Sequence, residues 1–182
     1  ILALVDTLGS YPVFVKPNTG GSSVATSRVN SRAELLSAVH TAGEESTEVM
    51  VETLIQGTEV TCGIFTHQGE PTILEITEVV TDNAFFDFDA KYNGQVEEIT
   101  PARIPQEQAE IIRKLTKQIY AYVQARGIIR VDYIIEKDGY PTLLEVNTTP
   151  GMTPTSFIPQ QVKAAGRTME EVITEIIQMS LS

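Results

Sequence analysis

One dipeptide constrains this chain more than any other feature. Asp138-Gly139 separates two runs with strand character, Arg130-Val-Asp132-Tyr-Ile-Ile-Glu136 and Pro141-Thr-Leu-Leu-Glu145-Val-Asn147. Asp-Gly is favoured in two-residue hairpin loops because both central positions take positive φ. With that loop, Lys137 pairs with Tyr140, Glu136 with Pro141, and the ladder runs out to Asp132 opposite Glu145 and Arg130 opposite Asn147. All four then lie on one face of the ribbon. Opposed like charges destabilise a ladder, so the acidic pair calls for a positive charge between its members. Two carboxylates and an amide oxygen are hard donors that suit Mg²⁺, which keeps the rest of its shell for water and substrate phosphates. A solvated outer face with a surface ion pair accounts for the same residues, since most charged side chains are exposed. The neighbours favour cover: Val131, Tyr133, Ile135, Leu144 and Val146 fill the opposite face, and Ile134 and Leu143 extend the acidic one. Covered carboxylates need partners.

At 182 residues, 42% of them hydrophobic, the chain can build a real core as one domain or two closely packed lobes. No run is long enough to cross a membrane and no signal-peptide pattern is present. Cys62, the single cysteine, has no internal disulfide partner, which fits a reducing compartment. A net charge of −11 without a basic stripe makes nucleic acid and anionic membrane poor partners. The sequence begins at Ile1 within a helical pattern, which suggests a chain excised from something longer.

Strands are expected at Tyr11 to Lys16, Val24 to Val29, Val49 to Glu52, Glu59 to Phe65 and Thr72 to Val80. A helix opens at the capping-box spacing Ser31-Arg-Ala-Glu34, with Leu35, Leu36, Val39 and Ala42 inward and Gly43 at its end. From Thr81 to Pro105 no period is visible, and a connection of that length is commonly a lid or binding loop. A long helix follows, with Leu115, Ile119, Tyr122 and Val123 as its buried stripe and Gly127 as its cap. After the acidic hairpin come a Gly/Pro-rich crossing at 148–156 and two terminal helices. The expected class is α+β with mainly antiparallel sheets.

Further groups have two readings each. Lys16 precedes Asn18-Thr-Gly-Gly-Ser-Ser23, where small residues let backbone N–H groups approach phosphate oxygens beside a point charge. A plain hairpin tip explains the glycines equally well. Glu52-Thr-Leu-Ile-Gln-Gly57-Thr-Glu59 offers backbone groups and two carboxylates to a nucleoside, or is an ordinary strand connection. Phe85, Phe86, Phe88 and Tyr92, beside Lys91, form either a lid that excludes water or a loop that packs its own aromatics. His40 and His67 have no matching ligands for a metal.

Taken together, Lys16-Pro-Asn-Thr-Gly-Gly-Ser-Ser23, Phe86-Asp-Phe-Asp-Ala-Lys-Tyr92, Arg130-Val-Asp132 and Glu145-Val-Asn-Thr-Thr-Pro-Gly-Met-Thr153 resemble the ATP-grasp family. More narrowly, they resemble its D-alanine–D-alanine ligases, cytoplasmic enzymes of peptidoglycan precursor synthesis. The likeness runs in order over almost the whole chain. It implies two lobes clasping ATP, residues 1–52 being the remainder of a central lobe and 53–182 the carboxy-terminal lobe. The family's amino-terminal substrate domain would be absent, and the chain would not ligate alone.

By resemblance, Lys16, Ser23, Glu52, Thr53, Leu54, Glu59 and Lys91 would bind ATP. Asp132, Glu145 and Asn147 would hold two Mg²⁺ ions, with Mn²⁺ an alternative. Arg130 and the Gly151 N–H would stabilise the oxyanion. Ser156, with Phe157 behind it, would take the carboxylate of the second D-alanine, and Ser22 and Tyr92 would close over the substrates. The parent enzyme would be a homodimer. Lys91-Tyr92 resembles the dipeptide-forming ligases more than depsipeptide-forming relatives, whose loop carries histidine. Ala25 departs from the family pattern, standing where glycine is usual. Two alternatives remain: another ATP-grasp carboxylate–amine ligase, or a non-catalytic ATP-binding module.

Overall fold

The structure, a computed structural model, describes residues 11–21, 23–81 and 96–181. These described residues fall into two compact units, one drawn from 11–55 with 81 and 96, the other from 56–80 with 97–181. In the first unit, β1 (Val13–Pro17) pairs antiparallel with both β2 (Ser27–Val29) and β3 (Val49–Thr53), in the order β2-β1-β3. Helix α1 (Arg32–Glu45) covers the sheet, and Val13, Val15, Val29, Leu35, Ala38 and Ala42 make one buried cluster. The apolar face is narrower than expected, because Ala38 is buried while Leu36 is 60% exposed. Glu34 also caps differently from a standard box. It accepts the Asn30 N–H at 2.9 Å and the Ser31 hydroxyl at 3.0 Å. Gly43 does not end the helix, which continues to Glu45.

The second unit is a five-stranded sheet ordered β6-β5-β4-β7-β8. Its strands are β4 (Gly57–His67), β5 (Glu70–Thr81), β6 (Val96–Ile99), β7 (Ile128–Glu136) and β8 (Pro141–Asn147). Helix α2 (Gln106–Tyr122) packs on one face with Val60, Cys62, Ile64, Val131, Tyr133 and Ile135. Helices α3 (Phe157–Ala164) and α4 (Met169–Leu181) pack on the other with Phe65, Leu74 and Ile128. The strict alternation of β4 serves two helical layers at once. Where α3 crosses β4 the backbone approach is close: a Cβ on Gly63 would lie 2.5 Å from Gln161 Oε1 and 2.8 Å from Ile158 Cδ1.

Two expectations are corrected here. The buried residues of α2 are Ala109, Ile112, Thr116 and Tyr120, with Leu115 and Ile119 packed at the edge, whereas Tyr122 is 90% exposed. The helix ends before Val123, and its buried line runs through Thr116 and Tyr120, one residue on from the expected Leu115 and Ile119. In addition, the segment read as having no strand contains β6, which pairs with the edge of β5. A four-residue strand is too short to show a period.

The hairpin β7–β8 reaches the expected register by another route. Glu136 N–H donates to Tyr140 O at 3.0 Å and Gly139 N–H to Glu136 O at 2.9 Å, so the loop is three residues, Lys137 to Gly139. Gly139 takes φ 86, and Asp138 is not at positive φ. Asp138 Oδ1 instead accepts the Tyr140 N–H at 2.9 Å. Ile135 therefore pairs with Pro141 and Tyr133 with Leu143, one residue away from the two-residue-loop register. Leu144 is then an extra residue on β8, and beyond this bulge Asp132 pairs with Glu145 and Arg130 with Asn147. Leu143 and Leu144 are both exposed, so the expected apolar cover from β8 is absent.

Candidate functional site

The face of β7 and β8 that carries the acidic pair is dense with polar contacts. Asp132 is 7% exposed. Its Oδ1 accepts the Thr61 hydroxyl at 2.6 Å and Arg130 Nε at 2.8 Å. Its Oδ2 accepts Arg130 Nη2 at 2.8 Å and Asn147 Nδ2 at 3.0 Å. The same Asn147 amide donates to Glu145 Oε1 at 3.0 Å, and Arg130 Nη2 lies 3.9 Å from that oxygen. The positive charge called for by the opposed carboxylates is thus Arg130, forked onto Asp132. Burial works against the guanidinium's charge. The Asp132 hydrogen bonds and the fields of Asp132, Glu145 and Glu59 outweigh it and hold Arg130 above its ordinary pKa. Glu145 is more open, its side chain 57% exposed.

Alternation in β7 explains the grouping. Arg130 and Asp132 point to one face while Val131 and Tyr133 enter the core on the other. The bulge at Leu144 then puts Glu145 and Asn147 on the same side as Asp132.

The chain crossing to α3 brings the next residues to this unit. Ser156 is the N-cap of α3, yet its hydroxyl does not cap. It pairs with Thr153 Oγ1 at 2.8 Å, and its N–H donates to Thr153 O at 2.8 Å. A Cβ on Gly151 would fall 2.7 Å from Ser156 Oγ, so only glycine fits beside that hydroxyl without displacing it. Phe157, expected behind Ser156, has a second contact: Arg130 Cζ lies 5.1 Å from its ring centroid, a cation–π arrangement. Glu59 also belongs to this unit, on β4.

In the first unit, Lys16 Nζ and Glu52 Oε2 form an ion pair at 2.7 Å. Both were expected at the nucleotide, and the β1–β3 register places them near each other, with Phe14 opposite Glu52 and Lys16 opposite Met50. Thr53 ends β3 and Leu54 follows it. Ser23 and Ala25 both adopt positive φ, 58 and 53. Ala25 therefore occupies a conformation that favours glycine, which is the physical sense of its departure from the family pattern. Ser22, Lys91 and Tyr92, together with the aromatic loop, lie outside the described residues.

Three neighbours escaped the sequence reading. Thr61 is buried and bonds Asp132, but it lies 71 residues away, on a strand whose register no turn specifies. Glu98, on β6, accepts a hydrogen bond from Gln160 Nε2, which also donates to Thr155 O at 3.2 Å. Burial pushes the Glu98 carboxyl up, and the Gln160 hydrogen bond and the Arg130 charge offset this only in part. Gln161 reads as one more polar residue of α3 but is wholly buried.

Antiparallel sheets with flanking helices are the architecture shared with solved D-Ala ligases of the ATP-grasp class. A D-Ala:D-Ser ligase from Enterococcus faecalis superposes with TM-score 0.86 at 31% identity, over 97% of this chain and 52% of the other. A D-alanine–D-alanine ligase from Bacillus anthracis, solved with ATP, superposes with TM-score 0.80 at 34% identity, over 100% of this chain and 57% of that one. The chain belongs to the family described as D-ala D-ala ligase C-terminus, which matches residues 1–178. A D-alanine–D-alanine ligase from Porphyromonas gingivalis is 64% identical over 179 residues, 98% of this chain and 54% of the relative. The chain thus spans about half the length of the curated relatives it matches. No helix among the described residues is long and apolar enough to cross a membrane.

Proposed function

We propose that this chain carries the nucleotide, metal and acceptor sites of an ATP-dependent ligase that joins two D-alanines for peptidoglycan precursor synthesis in the cytoplasm. The observation that carries this reading is the Arg130–Asp132–Glu145–Asn147 cluster on paired strands, next to the turn that presents Ser156 and Phe157. Residues 1–52 would contribute to a central nucleotide lobe and 53–182 to the carboxy-terminal lobe. The parent enzyme would be a homodimer.

The donor set fits Mg²⁺. Asp132 Oδ2 and Glu145 Oε1 each accept from Asn147 Nδ2 at 3.0 Å, so the two carboxylates converge on one amide, whose oxygen would face a cation there once the amide turns over. No group of three or more His, Cys, Asp or Glu suited to a metal occurs among the described residues. Two carboxylates and an amide oxygen nonetheless match an ion that completes its shell with water and phosphate oxygens. Bound there, Mg²⁺ (Mn²⁺ as substitute) would neutralise the phosphate oxygens during transfer.

The chain's own residues would do the remaining work. Lys16 leaves Glu52 to meet the phosphates beside Ser23, and Glu52, Thr53, Leu54 and Glu59 hold the adenosine. Lys91 reaches the terminal phosphate. The first D-alanine carboxylate attacks that phosphorus and ADP leaves, giving an acyl phosphate. The neutral amine of the second D-alanine attacks its carbonyl carbon. Arg130 and the Gly151 N–H stabilise the oxyanion so formed, and its collapse expels phosphate, which takes the surplus proton of the amine. Ser156, backed by Phe157, holds the second substrate's carboxylate, while Ser22 and Tyr92 close over both substrates.

Calorimetric titration of ATP into the chain, with and without Mg²⁺, tests this reading. Mg²⁺-dependent binding that disappears in Asp132→Asn/Glu145→Gln, with the fold retained by circular dichroism, supports it. Binding indifferent to Mg²⁺ or to those substitutions refutes it. Competition between D-alanine and D-serine then separates a D-alanine acceptor site from that of a different carboxylate–amine ligase.

A further inference from the structure

We propose that Thr61 is a positioning residue for the Asp132 carboxylate as a metal ligand, and that the buried amide of Gln161 ties this pair to α3. This rests on the reading of Asp132, Glu145 and Asn147 as a cation site.

Thr61 and Asp132 are direct partners across the β4–β7 ladder, and both are buried. The 2.6 Å contact to Oδ1 sits at the short end of O–H···O distances, as expected for a hydroxyl donating to a carboxylate. The two carboxylate oxygens have different surroundings. Asn147 Nδ2 bridges Oδ2 to Glu145 Oε1, so the two carboxylates converge on the Oδ2 side, where the same amide turned over would add its oxygen. Asp132, Glu145 and Asn147 would hold a cation on that side, and Thr61 holds Oδ1 away from it. Thr61 thereby fixes the carboxylate rotation whether or not Arg130 moves. Partners of this kind commonly account for 10–100-fold in metal affinity.

Gln161 extends the connection. Its Nε2 donates to Thr61 O at 3.0 Å and to Thr77 Oγ1 at 3.1 Å. Thr77 Oγ1 in turn pairs with Thr100 Oγ1 at 2.7 Å. The amide is wholly buried, yet its Oε1 has no hydrogen-bond partner among the described residues. Leaving a buried carbonyl oxygen unpaired is unfavourable, and an apolar side chain of similar length would avoid it. Packing alone therefore does not account for Gln161. What the amide supplies is a fixed tie between the backbone of the Asp132 partner and the helix that starts at Phe157, under Arg130.

The test is Mn²⁺ binding to the whole chain, read by electron paramagnetic resonance of the free ion, with unfolding midpoints measured in parallel. Thr61→Val should weaken Mn²⁺ binding about 10-fold or more, and Thr61→Ser should restore it. Gln161→Met removes the ties to Thr61 O and Thr77 Oγ1 and should weaken Mn²⁺ binding whether or not the unfolding midpoint falls. Unchanged affinity marks a purely structural role and overturns the Gln161 part. If Thr61→Val does not fold, Thr61→Ala against Thr61→Ser makes the same comparison. Parental Mn²⁺ binding that Thr61→Val or Thr61→Ala leaves within about twofold overturns the proposal alone, a change too small for a lost ligand-orienting contact. Absent parental binding, or binding that survives Asp132→Asn/Glu145→Gln, overturns the cation reading and the proposal with it.

Discussion

Replacing Asp132 by asparagine isolates what the carboxylate does, because shape is kept and charge is lost. The four donors now meeting it are Thr61 Oγ1, Arg130 Nε, Arg130 Nη2 and Asn147 Nδ2. An amide offers one accepting oxygen, and its NH₂ must face the donors on the other side. Whichever way it turns, its NH₂ faces two of these donors, and one of the two is an Arg130 nitrogen that cannot accept from it. Arg130, with its side chain only 15% exposed, also loses its nearest counter-charge. Removing one partner of a buried ion pair costs about 3–5 kcal/mol. Two neighbours reduce that here: Glu145 Oε1 at 3.9 Å, and the Phe157 ring at 5.1 Å, the latter contributing about 0.5–2 kcal/mol. The expected net loss is about 2–4 kcal/mol, a large share of a domain's usual stability. Urea unfolding followed by far-ultraviolet circular dichroism measures it as a lower midpoint at unchanged slope. A loss below about 1 kcal/mol, the usual range for an exposed pair, would refute the picture of Asp132 as a buried and fully engaged carboxylate.

Other expectations follow from the same packing. Gly63→Ala places a methyl within 2.9 Å of Gln161, Ile158 and Leu74. The expected cost is about 1–3 kcal/mol by overpacking, seen as a lower urea midpoint, with increased hydrogen exchange in α3. Cys62 is wholly buried, and burial pushes its thiol up to about 12, so the folded chain should resist thiol reagents at mildly alkaline pH and react fully in denaturant. Glu98 has its pKa raised, chiefly by burial, so ionisation opposes the native state above that pKa. Glu98→Gln should therefore stabilise the chain at neutral pH. The advantage should shrink as pH falls through the folded-state pKa and vanish below the ordinary value of 4.5, as urea midpoints over this range would show. Ala25→Gly relieves a positive φ, with an expected gain of about 0.5–1 kcal/mol after the added chain entropy is deducted, again read from urea unfolding.

The sequence reached the opposition of Asp132 to Glu145 and of Arg130 to Asn147, which strand alternation puts on one face, though by way of a two-residue loop that the chain does not form. It also determined the α+β character, since short β-rich runs and amphipathic helices alternate along the chain. Even the hairpin was completed by tertiary structure. A three-residue loop moved the register by one, and the bulge at Leu144 moved it back. Neither shift is visible in residue spacing, because a bulge adds a residue without changing composition. The α2 stripe was displaced for a similar reason: which flank of a helix is buried depends on the sheet beneath it, and here Tyr120 rather than Tyr122 meets that sheet. Thr61, Glu98 and Gln161 were out of reach altogether. Their partners lie on strands and helices joined by long connections, where no turn sets the register. Only packing β4 against β7, and α3 against both, brings a threonine hydroxyl onto the Asp132 carboxylate and buries an amide beneath it.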